Sequence, residues 1–240
     1  MKSLKTLGAV ALLSTSMLGA ATSFAASVDY PANPSEAQTP VKAKFKLPEN
    51  GGENPEPSNP TDPDHPTENP DGNKPLDPKG PLGIAYVPNQ FMTQNFEGEG
   101  EALNESGEQT FAFKNTDARV GVKDKTHTNG GWTLKAKLTW DSTELPGSTI
   151  TMGTETPQIN KGKNQYDSQT DVTAAAGTLT LNNVDIEIMN GKNLTDGNLY
   201  NATYDMKLTN PSLKIADTAK VSAGTYTGNV TWTLTAAAVY

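Results

Sequence analysis

The sequence predicts an all-β domain, a sandwich or barrel of many short and mostly antiparallel strands, preceded by a disordered proline-rich spacer. From Gly83 to Tyr240, Thr, Val, Leu and aromatic residues alternate in short runs separated by turn-forming residues. No segment shows the 3.6-residue apolar period of an amphipathic helix. Residues 48–82 hold ten prolines and eight acidic residues, a composition that buries little apolar surface and keeps a chain extended.

The first 25 residues have the three parts of a secretory signal peptide. Lys2 and Lys5 form the positive region, and the mostly apolar run Leu7–Ala21 follows. Ser23-Phe24-Ala25 places small residues at positions −3 and −1 of a cleavage after Ala25. A membrane anchor is the alternative, but the run is shorter than the 20 or so residues that a spanning helix needs. We therefore expect an exported, extracellular protein whose mature chain begins near Ala26.

Residues 26–47 form an N-terminal segment before the spacer. Within it, Val41–Leu47 alternates apolar residues with lysines, which is the pattern of a half-buried strand. We expect this segment to dock on the main domain, residues 83–240, as an edge strand. A free basic arm is the alternative.

Charge and cysteine content exclude several classes of function. The full chain carries a formal net charge of −8, and loss of Lys2 and Lys5 with the leader makes it −10. Phosphate backbones and anionic lipids repel such a chain, so nucleic acid and membrane surfaces are poor candidate partners. The chain has no cysteine, so we expect a conventional hydrophobic core to stabilise the exported domain.

Alternation and turn residues predict seven strand regions in the main domain. Leu179 and Leu181 lie on one parity and Val184 on the other, so Asn182-Asn183 is expected to form a hairpin turn or a bulge. The predicted strand regions are Thr110–Phe113, Arg119–Lys123, Trp132–Trp140, Thr178–Ile188, Tyr204–Leu208, Ser212–Ile215 and Gly224–Thr235.

Two of these strands contain the same tripeptide, Trp-Thr-Leu, starting at Trp132 and at Trp232. In each strand one face is apolar and the other consists of Thr, Lys or Asn, the pattern of a sheet with one buried side. The apolar faces hold Trp132, Leu134, Ala136, Leu138 and Trp140 in the first strand and Tyr226, Gly228, Val230, Trp232 and Leu234 in the second. Because each Trp shares its face with aliphatic residues, we expect core packing. An exposed aromatic platform that stacks on sugars is the alternative.

The two Trp-x-Leu motifs, with the second at the C-terminus, resemble the WxL-domain cell-surface proteins of low-GC Gram-positive bacteria. Supporting pieces are Tyr86-Val87-Pro88-Asn89 at the start of the domain and Val122-Lys123-Asp124 shortly before Gly131-Trp132. The order of N-terminal strand, acidic spacer and β domain is also similar to that family.

This resemblance implies a β domain held non-covalently on the cell wall by binding peptidoglycan, without a cofactor. It also implies possible association with other surface proteins; a host matrix component is a further candidate partner. The family motif residues in this sequence are Trp132, Leu134, Trp232 and Leu234, with Tyr226 beside them. The polar faces of the two strands offer candidate wall contacts, namely Lys135, Lys137, Thr231 and Thr233.

Catalytic and metal-binding patterns are weak in this chain. It has two histidines, His65 in the spacer and His127, and lacks the Gly-x-Ser-x-Gly motif. Glutamates cluster between Glu97 and Glu108 in a glycine-rich run that we expect to be a solvated loop. Oxygen-bearing residues between Asp196 and Asp205 lack the spacing of an EF-hand. We therefore predict no catalytic residues, no metal site and no enzymatic activity.

Overall fold

The computed structural model describes residues 34–62, 64, 69–141, 144–195 and 197–237. The predicted signal peptide, residues 1–25, and His65 lie outside these ranges. The chain divides into two units, residues 1–45 and 46–240.

The strands are β1 Asn73–Pro75, β2 Leu82–Pro88, β3 Gln109–Ala112, β4 Ala118–Asp124, β5 Trp132–Trp140, β6 Ser148–Thr154, β7 Gln158–Gly162, β8 Gln165–Ser168, β9 Val172–Ala174, β10 Leu179–Leu181, β11 Ile186–Gly191, β12 Ala202–Ile215 and β13 Gly228–Ala236.

These strands form two antiparallel sheets, as the sequence predicts. A nine-stranded sheet has the order β1-β2-β4-β12-β6-β10, with β3 and β7 also pairing with β12, and β8 pairing with β7. A four-stranded sheet has the order β13-β5-β11-β9. The only described helix is a short 3-10 turn, Thr218–Lys220.

The apolar faces of the two sheets pack against each other. Trp132 on β5 of the small sheet lies 6.1 Å, between ring centroids, from Tyr204 on β12 of the large sheet. Leu134 and Ala136 on β5 and Met206 and Leu208 on β12 are fully buried in the same cluster. The alternation read from the sequence therefore places one face of each strand in a shared core, which makes the domain a β-sandwich.

The structure differs from the prediction of a disordered spacer over residues 48–82. This segment contains β1, which pairs with β2, and Asn73 in β1 is fully buried. The Asn73 side-chain amide donates to the backbone carbonyls of Ser58 (2.9 Å) and Asp117 (2.8 Å), and its Oδ1 accepts from the Arg119 backbone N–H. The described part of the segment is therefore held along the domain.

The reason lies in hydrogen-bonding groups rather than in apolar burial. Proline offers carbonyl acceptors without a backbone donor, so a proline-rich segment can dock where the domain supplies donors. Lys123 Nζ donates to the Gly52 carbonyl at 2.8 Å, and the Asn160 amide donates to the Glu56 carbonyl at 2.9 Å. Composition alone gives no sign of these long-range partners.

The docking of Val41–Leu47 on the main domain as an edge strand stays a prediction. Residues 36–48 have no regular secondary structure, and the side chains of Val41 and Phe45 are 89% and 90% exposed.

The predicted hairpin at Thr178–Ile188 is also wrong. β10 pairs with β6 in the large sheet, whereas β11 pairs with β5 and β9 in the small one. The parity change around Asn182-Asn183 marks a crossing between sheets, because each strand turns its apolar face toward the same core. The two predicted strands at Tyr204–Leu208 and Ser212–Ile215 belong to a single strand, β12, with a register shift between Thr209 and Ser212.

Candidate functional site

The two Trp-Thr-Leu strands lie side by side at one end of the small sheet. β13 pairs with β5 along all nine of its residues without a register shift. In this register Trp232 lies opposite Ala136, and Leu234 lies opposite Leu134. The two motifs are therefore offset, with the second tryptophan beside an alanine and its leucine beside the first leucine.

The four predicted wall contacts meet on the outward face of this strand pair. Thr231 lies directly opposite Lys137, and Thr233 lies directly opposite Lys135. Directly opposed residues on one face of an antiparallel pair have Cβ atoms about 4.5–5.5 Å apart. The structure thus brings together Lys135, Lys137, Thr231 and Thr233, which the sequence could only place on two separate strands.

The outward face continues with polar residues that the sequence analysis missed. Thr235 lies opposite Thr133 on β5, and Thr133 lies opposite Asn190 on β11. The Asn190 side-chain amide donates to Thr133 Oγ1 at 3.2 Å. Asn190 follows a bulge in β11, which shifts the alternation, so its side is not readable from the sequence. We call the surface formed by Thr133, Lys135, Lys137, Asn190, Thr231, Thr233 and Thr235 the polar face.

The two lysines give the polar face its charge. Within the described residues, neither Lys135 nor Lys137 takes part in an ion pair. Glu187 lies opposite Lys135 on β11 without a salt bridge between them. The face therefore presents two ammonium groups and several hydroxyls, with the Glu187 carboxylate beside Lys135. These groups suit hydrogen bonding to hydroxyl, amide and carboxylate groups.

On the inward side, the first motif is buried. Trp132 is 2% exposed and Leu134 is fully buried. The Trp132 ring packs against Tyr200 and Tyr204, with centroids 6.5 and 6.1 Å away, and the two tyrosines meet edge to face at 5.6 Å. Burial raises the pKa of both tyrosine hydroxyls well above the ordinary value. Trp132 and Leu134 therefore lie in the hydrophobic core of the domain.

The indole nitrogen of Trp132 lies near the carboxylate of Asp124, the last residue of β4. Among the described residues, Trp132 Nε1 has no hydrogen-bond acceptor in good geometry. Burial raises the pKa of the Asp124 carboxyl, while Thr126 and the nearby Trp132 indole act in the opposite direction. Asp124 accepts from both the Thr126 hydroxyl (2.7 Å) and its backbone N–H (3.1 Å). Asp124 of the Val-Lys-Asp motif therefore holds the chain that follows β4 in place through its hydrogen bonds to Thr126.

The second motif is not part of the fully buried core. Val230, Trp232 and Leu234 are only half-buried and pack at its margin, because β13 is the end strand of its sheet. Trp232 and Leu234 pack against the core cluster as partly buried residues. Tyr226 lies before the strand begins. Its ring meets Trp140 edge to face at 6.4 Å.

The start of the domain carries a buried polar network rather than a binding site. Tyr86 Oη donates to Asp205 Oδ2 at 2.7 Å, and Arg119 forms an ion pair with the other oxygen of Asp205. Burial raises the pKa of the Asp205 carboxyl, whereas Arg119 and Tyr86 lower it. The Arg119 guanidinium lies 4.6 Å from the centroid of the Tyr166 ring. These contacts stabilise the large sheet.

The glutamates between Glu97 and Glu108 make separate contacts at the surface. Glu97 pairs with Lys114 at 2.9 Å, and Glu108 pairs with Lys214 at 2.7 Å. Glu101 accepts from the Asn95 backbone and side chain. Within the part of the chain that the structure describes, no three acidic, histidine or cysteine residues group as a metal site would require.

A family model described as "WxL domain surface cell wall-binding" matches residues 32–237. The chain belongs to this family, and the resemblance carried by its two Trp-x-Leu motifs is confirmed. It is therefore a surface domain associated with the cell wall. No curated protein and no solved structure matches the chain. None of the helices in the described ranges has the length and apolar character needed to cross a membrane.

Proposed function

We propose that the mature chain is a non-enzymatic, secreted Gram-positive surface protein that binds peptidoglycan directly and non-covalently through the polar face. The observation that carries the proposal is the register of β5 and β13, which pairs Thr231 with Lys137 and Thr233 with Lys135. The family match to a wall-binding surface domain supports it.

The chemistry of the face suits this ligand. Peptidoglycan offers sugar hydroxyls, amide groups and the carboxylates of its peptide stems. Threonine hydroxyls both donate and accept hydrogen bonds, and lysine ammonium groups bind carboxylates through charge-assisted bonds. Lys135 and Lys137 lack ion-pair partners among the described residues, so binding would not first require breaking an internal salt bridge.

The test is co-sedimentation of the mature chain, residues 26–240, with purified peptidoglycan stripped of protein and secondary polymers. We expect the wild type to pellet with it. The double variant Lys135→Gln/Lys137→Gln should bind about tenfold or more weakly, because it removes two charge-assisted contacts. Unchanged binding by this variant would exclude the polar face as the binding surface.

A matched control makes the same charge change elsewhere. Lys161 and Lys163 lie on the exposed β7–β8 hairpin of the large sheet, so Lys161→Gln/Lys163→Gln should bind like the wild type. A parallel arm uses wall that retains its acidic secondary polymers. Binding only in that arm would point to those polymers as the ligand. Release of soluble wall fragments would contradict a non-enzymatic role.

A second candidate function is a surface protein-protein module whose wall attachment is indirect, with another surface protein or a host matrix component as partner. The open edge of β13 favours it, because exposed strand edges accept partner strands. Failure of a folded wild-type chain to bind stripped peptidoglycan would move the proposal to this function.

A further inference from the structure

We propose that a cavity beside β9 binds a primary carboxamide, and that its ligand is a peptidoglycan stem peptide whose free glutamate carboxyl is amidated. The cavity has a volume of about 480 Å³ and is lined by residues 154–157, 169, 170 and 172–177, and its size is typical of ligand pockets. We call it the amide slot. The inference rests on the proposed function, since it names a part of the same ligand, but the amide slot shares no residue with the polar face.

The backbone of β9 directs hydrogen-bonding groups into the amide slot. β9 is the end strand of its sheet and pairs with β11 on its other side. Directly after β9, the Ala175 N–H donates to the Ile188 carbonyl on β11 at 2.9 Å. Because the hydrogen-bonding groups of successive residues in a strand alternate in side, those of Val172 and Ala174 point away from β11. The N–H and the carbonyl of each of these two residues therefore face the slot side by side.

A carboxamide of the chain itself already binds in the slot at Val172. Gln169 Oε1 accepts from the Val172 N–H at 2.7 Å, and Gln169 Nε2 donates to the Val172 carbonyl at 2.9 Å. Gln169 Nε2 also donates to the Pro157 carbonyl on the facing wall at 2.6 Å. One carboxamide therefore spans the slot and satisfies both backbone groups of the strand residue that it faces.

Ala174 offers the same pair of groups, and among the described residues neither group has a hydrogen-bond partner. It lies two residues, roughly 6–7 Å, beyond Val172 along the strand. A primary carboxamide carries an acceptor and a donor on one edge, so a ligand carboxamide can bind Ala174 as Gln169 binds Val172. A trans secondary amide points its N–H and its carbonyl in opposite directions, so it cannot bind both groups of Ala174.

The contacts on either side of Ala174 favour a single carboxamide over an added protein strand. A partner strand binds an edge through a run of backbone hydrogen bonds. Here Gln169 occupies the Val172 position, and the Thr154 hydroxyl donates to the Ala175 carbonyl at 3.3 Å. One backbone pair, that of Ala174, is left open between them, which is what one pendant carboxamide requires.

Glu155 adds a negative charge to the slot. It is the only charged residue among the described residues of the lining, and its side chain is 54% exposed. Its carboxylate lies 4.0 Å from Lys207 Nζ, at the outer limit of an ion pair, so it can accept a second cation. In a lysine-containing stem peptide the lysine directly follows the glutamate. A carboxamide at Ala174 and an ammonium group at Glu155 therefore match two neighbouring residues of one ligand.

Titration of the isotope-labelled mature chain, residues 26–240, with two synthetic peptides tests the amide slot. The probe is L-Ala-γ-D-isoGln-L-Lys-D-Ala, and the second peptide differs only by a free D-glutamate carboxylate in place of the carboxamide. A carboxylate has no proton for the Ala174 carbonyl, so we expect it to bind about tenfold or more weakly. The Ala174 amide signal should shift saturably with the probe. Equal binding of the two peptides, or no binding of the probe, would overturn the proposal.

Two variants locate the binding. Ala174→Pro removes the N–H that faces the slot, and should abolish binding of the probe. The pairing with β11 does not use this N–H, and edge strands tolerate proline there, so the melting temperature should stay close to that of the wild type. Glu155→Gln should weaken binding about threefold or more, whereas Glu99→Gln, the same change in an exposed loop, should not. Unchanged binding by Glu155→Gln, or by a folded Ala174→Pro chain, would refute the assignment to this slot.

The polar-face variant separates this inference from the proposed function. Lys135→Gln/Lys137→Gln should bind the soluble probe like the wild type, and a loss would place the peptide on the polar face and overturn the slot alone. A wild-type chain that binds the probe at Ala174 but does not pellet with peptidoglycan would contradict the proposed function and leave the slot intact. Tighter binding of N-acetyl-Ala-Gln-Lys-Ala methylamide than of the probe would make a protein side chain the ligand and overturn the stem-peptide assignment.

Discussion

β5 and β13 carry the same Trp-Thr-Leu tripeptide with the same alternation, yet they occupy different places in the small sheet. β5 lies between β13 and β11, and its Trp132 and Leu134 are buried. β13 lies at the end, and its Trp232 and Leu234 are half-buried. The same motif therefore has two structural roles. In β5 it lies in the core, and in β13 it packs at the margin of the core.

The largest expected contrast comes from truncating each tryptophan. Trp132→Ala should lower the free energy of unfolding by about 3–5 kcal/mol, the usual loss for a buried aromatic. Trp232→Ala should cost about 1–2 kcal/mol, because only part of its surface is removed from water. Urea denaturation of the two variants measures both values. Equal losses would show that β13 is as well covered as β5 in solution, as it would be with a strand added to its edge.

The sequence predicted which face of each strand is apolar, but it did not predict the position of each strand in its sheet. Alternation depends on local backbone geometry, so the apolar faces of β5 and β13 follow from the residues alone. Whether a further strand lies beyond β13 depends on pairing between distant segments. For the same reason, the sequence placed Lys135 and Thr233 on outward faces without showing that they are directly opposed.

The proline-rich segment shows a second limit of the same kind. Its composition predicts disorder, and by apolar content that inference is sound. The segment is nevertheless held by donors that lie far away in the chain, such as Lys123 on Gly52 and Asn160 on Glu56. The sequence does not distinguish a lysine that donates a hydrogen bond to a distant carbonyl from a lysine that is surrounded by water.

A smaller expected effect comes from the close fit around the buried tryptophan. A Cβ on Gly191 would lie 2.7 Å from Cε2 of Trp132, closer than side chains approach, so Gly191→Ala should destabilise the domain by about 1–3 kcal/mol through overpacking. Gly98→Ala is the control, since its nearest neighbour would lie 3.6 Å away. Thermal melting of both variants is the measurement. A neutral Gly191→Ala would mean that Trp132 can shift, and that β5 is packed as loosely as β13.

The smallest expected effect is a pH dependence from Tyr204 on β12, which packs against Trp132. Burial raises the pKa of Tyr204 in the folded state, whereas in the unfolded chain tyrosine ionises near 10. The folded state therefore keeps its proton as the pH rises above 10, and the free energy of unfolding should fall there by about 1 kcal/mol per pH unit for this residue. Below pH 10 both states are protonated, and the effect is absent.

Comparing unfolding at pH 9 and pH 11 isolates this contribution. Tyr204→Phe should lose less stability between the two values than the wild type, because it removes one group that ionises on unfolding. Identical behaviour of the wild type and Tyr204→Phe would mean that water reaches Tyr204 next to Trp132. The distinction between a sealed first motif and an open second motif would then fail.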